Sequence, residues 1–194
     1  MLLRFLRALR NHRPSAPAGE ARTIELTLEQ YEALVPAVTI REGASDVTYC
    51  TPNSATRWRA DTLFTKEPDT IDWIRGFQAG DVLLDIGANI GMYSIFAAKT
   101  RSARVYAFEP ESQNYALLYK NIVLNGVSDQ VTGYCAALSD EETFSLLYLS
   151  DFQLGGSCHT FGAALDPHLR ERKSEHTQGC FSTTVDKLVQ QGVL

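Results

Sequence analysis

The stretch Asp81-Val-Leu-Leu-Asp-Ile-Gly-Ala-Asn-Ile-Gly91, with Met92 to Ala98 behind it, constrains the fold more tightly than any other part of the chain. Val82 to Ile86 is a short, almost purely apolar run of the kind buried on both faces of a parallel sheet, and it breaks into a glycine-bearing turn before a helical pattern. Gly87 and Gly91 lack a Cβ, so the backbone can turn sharply and a ligand can lie against it. The N–H groups opening the next helix are expected to face an anionic group. Arg104 to Phe108 reads as a second strand ending in Glu109, the position from which a βαβ unit hydrogen-bonds ribose hydroxyls.

A dinucleotide fingerprint would read Gly-x-Gly-x-x-Gly, but Asp85 occupies the first glycine position and the last glycine is displaced by one residue. The nicotinamide reading, an NAD-dependent oxidoreductase, is weakened accordingly. Asp-x-Gly-x-x-x-Gly with an acid after the second strand resembles the S-adenosylmethionine site of class I methyltransferases. The plain alternative is a strand-turn-helix whose glycines serve only the turn.

Composition excludes some classes. With 194 residues, 44% hydrophobic and 21% charged, the chain can bury one substantial core and is not a disordered polymer. The net charge of −5 argues against a general polyanion-binding surface, so no nucleic acid partner is expected. Cys50, Cys135, Cys158 and Cys180 form no Cys-x-x-Cys pair and no secretory signal accompanies them, which reads as reduced thiols in a cytoplasmic protein. Cys158-His159 and His176-x-x-x-Cys180 contain zinc-ligand types, yet adjacent ligands close poorly around a tetrahedral ion, and no metal is expected.

Residues 1–19 read as a basic N-terminal helix and a linker. Arg4, Arg7, Arg10 and Arg13 alternate with leucines, a pattern suited to weak contact with an anionic membrane surface or to a solvated terminus, and too interrupted for a membrane span. Residues 20–61 read as a small α+β cap. Thr27-Leu-Glu-Gln30 has capping-box spacing and predicts a helix from Leu28 to Val35, and Val38 to Ile40 and Val47 to Cys50 flank a turn as two short antiparallel strands. Pro68 with its neighbouring acids predicts a helix that leads through Gly80 into the first strand. The preceding loop, Thr62 to Glu67, is expected either near the cofactor's amino-acid end or as a mere lead-in to that helix.

Asn114 to Asn125 reads as the second crossover helix, closed by Asn125-Gly126, and Val131 to Leu138 as the third strand. Backbone groups around Cys135 to Ala137 and the pair Ser139 and Asp140 lie where ligands gather in open α/β sheets and are candidates to hold an adenine, set against a simple strand-end turn. Thr143 to Leu149 and Cys180 to Val185 predict a β-hairpin with a long insert. Within its stretch Leu154 to Gly162, His159 is the one side chain able to act as a base near neutral pH, set against a surface histidine with no role.

With those residues located, the sequence resembles the FkbM-type family of S-adenosylmethionine-dependent methyltransferases. The matching pieces are Thr62-Leu-Phe-Thr-Lys-Glu-Pro68, Asp85 to Gly91, Glu109-Pro-Glu-Ser-Gln-Asn114 with Asn121 and Asn125, Ala136-Ala-Leu-Ser-Asp140, and Thr183-Thr-Val-Asp-Lys-Leu188. The resemblance implies a Rossmann-like α/β fold over residues 62–194, with three parallel strands, crossover helices and a β-hairpin. It implies cofactor contacts from Asp85, Gly87, Ala88, Asn89, Gly91, Glu109, Pro110, Ala136 and Leu138, and O-methylation of a hydroxyl on a small-molecule, sugar or glycan acceptor. Members of that family continue beyond the Thr-Val-Asp segment, so the chain is expected to be a C-terminally truncated portion of such a domain. Its first strand would be left with an exposed edge prone to self-association, and a non-catalytic cofactor-binding remnant is the alternative.

Overall fold

The computed structural model describes residues 24–166 and 168–194. The described residues fall into two units, 24–35 and 36–194. The basic segment expected over residues 1–13 lies outside the described residues. In the first unit Thr27 caps helix α1 (Leu28–Ala33): its hydroxyl accepts the Gln30 N–H, and the Gln30 side chain accepts the Thr27 N–H. That is the reciprocal capping box which the spacing predicts.

The second unit opens on an antiparallel hairpin, β1 (Ala37–Glu42) and β2 (Ser45–Cys50), in the register Thr39 opposite Thr48. Three short helices follow, α2 (Ser54–Asp61), α3 (Leu63–Lys66) and α4 (Pro68–Arg75). Helix α2 is absent from the sequence reading, because its polar face is broad and its N3 residue is Thr56 rather than the usual Glu or Gln. Asn53 caps it nonetheless. The stretch expected as a loop before Pro68 is partly helical.

Three parallel strands then form the main sheet: β3 (Val82–Ile86), β4 (Arg104–Phe108) and β5 (Val131–Tyr134), in that order across the sheet. They are joined by crossover helices α5 (Met92–Arg101) and α6 (Ser112–Leu124). A second sheet contains β6 (Ala137–Leu138), β7 (Thr143–Leu149), β8 (Thr160–Phe161) and β9 (His176–Thr183), ordered β6-β9-β7-β8. Helix α7 (Val185–Gln190) follows.

Three expectations are corrected in detail. The third strand does not run unbroken from Val131 to Leu138: it leaves the main sheet after Tyr134, and Ala137 and Leu138 pair in parallel with Ser182 and Thr183 of the second sheet. The hairpin's return strand begins at His176 rather than Cys180, and its insert carries β8, so it is partly ordered structure. Strand β3 is not buried on both faces. Leu83 is 5% exposed, but Val82 and Ile86, on the opposite side of the pleat, are 60% and 58% exposed.

The reason lies in the packing. Leu83, Val105, Ala107 and Val131 share one core with Ile95 and Phe96 of α5 and Leu118 and Ile122 of α6. Both crossover helices therefore cover the same sheet face.

Buried asparagines on α6 fasten the hairpin to this layer. Asn121 is fully buried; its Oδ1 accepts the Cys50 N–H at 2.8 Å and its Nδ2 donates to the Ile90 carbonyl at 2.8 Å. One turn on, Asn125 accepts the Thr48 N–H and donates to the Thr48 carbonyl, pairing with β2 as a neighbouring strand would. Replacing Asn121 by alanine leaves a buried N–H and a buried carbonyl without partners. The expected loss is about 2–4 kcal/mol in urea unfolding with an unchanged m-value; a loss below about 1 kcal/mol would show that Asn121 does not secure the hairpin.

Candidate cofactor site

The turn between β3 and α5 is built against the end of β4. The N–H groups of Gly87 and Ala88 both donate to the Phe108 carbonyl, at 2.8 and 3.0 Å, and the Asn89 N–H donates to the Glu109 carboxylate at 2.7 Å. The turn needs positive φ at Gly87 (76°), Asn89 (53°) and Gly91 (84°). A Cβ on Gly91 would stand 2.5 Å from the Leu118 side chain, whereas one on Gly87 would meet nothing within 4 Å. Gly91 thus permits close helix packing, and Gly87 borders open space.

At the start of α5 one N–H group already faces an anion from the chain itself. That anion is Asp85: its half-buried carboxylate accepts from the Ser94 hydroxyl at 2.6 Å and from the Ser94 backbone, and desolvation holds its pKa above the ordinary carboxylate value. The chain's own anion thus takes one N–H of the helix start, which leaves less of that terminus for a pyrophosphate and weakens the dinucleotide reading.

A cavity of about 350 Å³ opens beside the turn, within the range typical of small-molecule sites. Asp85, Ile86, Gly87, Ala88 and Asn89 form one wall; Arg59, Thr62, Lys66, Glu67 and Tyr93 form much of the rest, joined by Ser157 from the insert. The segment Thr62 to Glu67 therefore does border the cavity. Lys66 and Glu67 pair at 3.1 Å. Burial and the nearby Glu67 and Asp85 carboxylates raise the Tyr93 phenol's pKa, keeping it neutral.

Glu109, Pro110, Ala136 and Leu138 do not line this cavity. Glu109 is 4% exposed, one oxygen accepting from Asn89 and the other from the Glu111 N–H at 2.9 Å. Each oxygen keeps a second lone pair. The Pro110 carbonyl accepts from Gln178, and Leu138 lies in β6.

The insert contributes what sequence reasoning missed. The Gly155 carbonyl accepts from Arg59 Nε and Nη2 at 2.8 and 2.6 Å, and the Gly156 carbonyl accepts from Asn89 Nδ2 at 2.5 Å. His159 accepts the Ser150 N–H on Nδ1, so its neutral ring carries the proton on Nε2. Burial lowers its pKa. Such a ring has no free lone pair with which to take a proton.

The family model of the TRM5/TYW2 methyltransferase domain matches residues 65–173, more than half of the chain. The chain belongs to this family. It is thereby a class I S-adenosylmethionine-dependent methyltransferase domain, and its α/β architecture is that of such a domain with three parallel strands.

Among curated relatives, the 31-O-demethyl-FK506 methyltransferase FkbM of Streptomyces tacrolimicus is 35% identical over 92 residues, 47% of this chain; the chain spans about a third of that relative, 35% of its length. Among solved structures, TYW2 of M. jannaschii with AdoMet is 21% identical, with a TM-score of 0.32 over 52% of this chain and 43% of that one. The M. jannaschii tRNA m1G37 methyltransferase is 16% identical, with a TM-score of 0.36 over 56% of this chain and 36% of that one.

The family match overturns the expectation that no nucleic acid is involved, because net charge averages over the chain and says little about one site. The cofactor is S-adenosylmethionine, and the residues fit it. Asn89 Oδ1 is a buried acceptor with no donor among the described residues, and its amide cannot be turned round without setting an oxygen against the Gly156 carbonyl. The cofactor's hydroxyls and ammonium are donors.

Burial, helped by Glu111, pushes the Glu109 pKa up from 4.5 to about 7, against two backbone N–H donors and Arg59, which pull it down. The folded state therefore binds more protons than the unfolded chain between about pH 5 and pH 7, and stability falls as pH rises through that window. The contribution is about 3 kcal/mol. Urea unfolding of Glu109→Gln across this range should show a visibly flatter pH profile than wild type; parallel profiles would refute the raised pKa.

Proposed function

We propose that the protein binds S-adenosylmethionine across the glycine turn and the tip of β4 and passes its methyl group to an RNA acceptor. The observation that carries the reading is the unsatisfied Asn89 acceptor on the cavity wall, joined through its own N–H to a buried acid at the end of the second strand. In this reading Gly87 and Ala88 leave room for the methionine part, Gly91 fixes the turn, and Asp85 holds the start of α5. Glu109, with Pro110, takes the ribose hydroxyls on its remaining lone pairs, and the backbone around Ala136 and Leu138 borders the adenine.

Charge in the cavity is arranged for a ligand carrying both signs. Asp85 and Glu67 favour the sulfonium and ammonium, and Arg59 and Lys66 the carboxylate. The bound cofactor supplies a methyl group already activated on a sulfonium. The chain's residues hold the reacting groups in line and exclude water. The TRM5/TYW2 match and the name of the tRNA m1G37 neighbour support RNA as the acceptor.

The FkbM relative favours a second reading, an FkbM-type transfer to a hydroxyl of a sugar or natural-product-like acceptor. An alcohol must lose its proton, and His159 as arranged offers no lone pair for it.

Calorimetry should show S-adenosylhomocysteine binding, weakened about 10–100-fold in Glu109→Ala at pH 8. With radiolabelled donor, counts should enter an RNase-sensitive fraction. Label confined to hydroxylated small molecules would establish the second reading, and absence of binding would remove both.

A further inference from the structure

We propose that Asn114 is a positioning residue of the cofactor pocket, acting through the Gly155-Gly156 segment of the insert; the inference rests on the S-adenosylmethionine reading above. Asn114 is fully buried on α6. Its Oδ1 accepts the Gly155 N–H at 2.8 Å, and its Nδ2 donates to the Gly156 carbonyl at 3.1 Å. That carbonyl is the one which also receives Asn89 Nδ2, and the neighbouring Gly155 carbonyl receives Arg59. One side chain thus fixes two peptide groups, and these fix two residues of the cavity wall. Ser157, the next residue, lies on the wall itself.

The segment is shaped for this place. Gly155 has φ +80°, and a Cβ there would come within 3.0 Å of Thr56 Cγ2 and 3.3 Å of the Thr56 N. A Cβ on Gly156 would collide with Asp151 and stand 3.0 Å from the Gln153 carbonyl. A side chain is disfavoured at Gly155 by its positive φ and by Thr56, and is crowded at Gly156 by the Gln153 carbonyl, so glycine suits both positions where the carbonyls approach Arg59 and Asn89.

Asn89 explains why the tie matters to a ligand. Its backbone is left-handed, its N–H holds Glu109, and its Oδ1 is the unsatisfied acceptor. Only the bond from Nδ2 to Gly156 fixes which way that amide faces. Without Asn114 the Gly156 carbonyl loses one of its two side-chain donors, and Gly155 loses its acceptor. The segment and the Asn89 amide must then be ordered by the incoming cofactor, at the expense of affinity.

The test is calorimetric titration with S-adenosylhomocysteine at a temperature where every variant is folded, paired with amide hydrogen exchange. Asn114→Ala should bind about tenfold or more weakly. Ile122→Val, which trims the same helix in the core away from the segment, should lower the melting temperature and leave affinity unchanged. In the wild-type chain, the ligand should slow exchange at Gly155 and Gly156.

Equal affinity in Asn114→Ala and wild type overturns the inference and leaves the cofactor reading standing. If Asn114→Ala does not fold, the exchange experiment decides: protection of the two glycines supports the positioning role, and unchanged exchange overturns it. Absence of binding to the wild-type chain overturns the cofactor reading, and the positioning role with it.

Discussion

Three buried asparagines on one face of α6 hold together parts of the second unit that are far apart in sequence. Asn125 pairs with the backbone of β2 at Thr48, Asn121 joins Cys50 of that strand to the glycine turn at Ile90, and Asn114 joins the insert at Gly155 and Gly156. Their spacing of seven and four residues keeps all three on the side of the helix that meets the sheet. An amide side chain offers both a donor and an acceptor, so each can satisfy a peptide group that has no strand neighbour. Apolar residues of the same volume would fill the space and leave those peptide groups unpaired, which is the larger loss in a buried setting.

The cofactor turn depends on that anchoring. The amides of Gly87, Ala88 and Asn89 are spent on Phe108 and Glu109, and Asp85 takes the Ser94 N–H at the start of α5. With those three N–H groups used, the turn has fewer donors for a phosphate than a dinucleotide loop has. It can offer a defined surface, with one open flank at Gly87 and one unsatisfied acceptor at Asn89. That surface suits a ligand bearing hydroxyls, an ammonium and a carboxylate, and the same aspartate that breaks the dinucleotide fingerprint in the sequence accounts for it physically.

The elements legible in the sequence are those whose signals are local. The β3 turn, the acid after β4, both crossover helices, the Thr27 capping box and the β1-β2 hairpin all follow from period, caps and glycine placement. What escaped the reading depends on contacts between distant segments. The break after Tyr134 arises because Ala137 and Leu138 find a partner some 45 residues later in β9. Half-burial of β3 depends on which face α5 and α6 both choose, and nothing in Val82 to Ile86 itself encodes that choice. The role of Gly155-Gly156 was invisible because a diglycine in a polar stretch looks like a flexible link. Only its bonds to Asn114, Asn89 and Arg59, from three other elements, make it a support for the cavity wall.

Charge shows the same contrast between sum and place. The chain carries −5 overall, yet Arg59 sits half-buried at the cavity, with a backbone carbonyl as its hydrogen-bond partner and no carboxylate within ion-pair distance among the described residues. Burial depresses its pKa, the nearby Glu109 opposes that shift, and the guanidinium remains charged at neutral pH. Desolvating a cation is costly, and a carbonyl offsets the cost less well than an anion does. An anion in the cavity would offset that cost further, so in the proposed reading this single arginine bears on the cofactor's carboxylate in a way that the whole-chain charge does not.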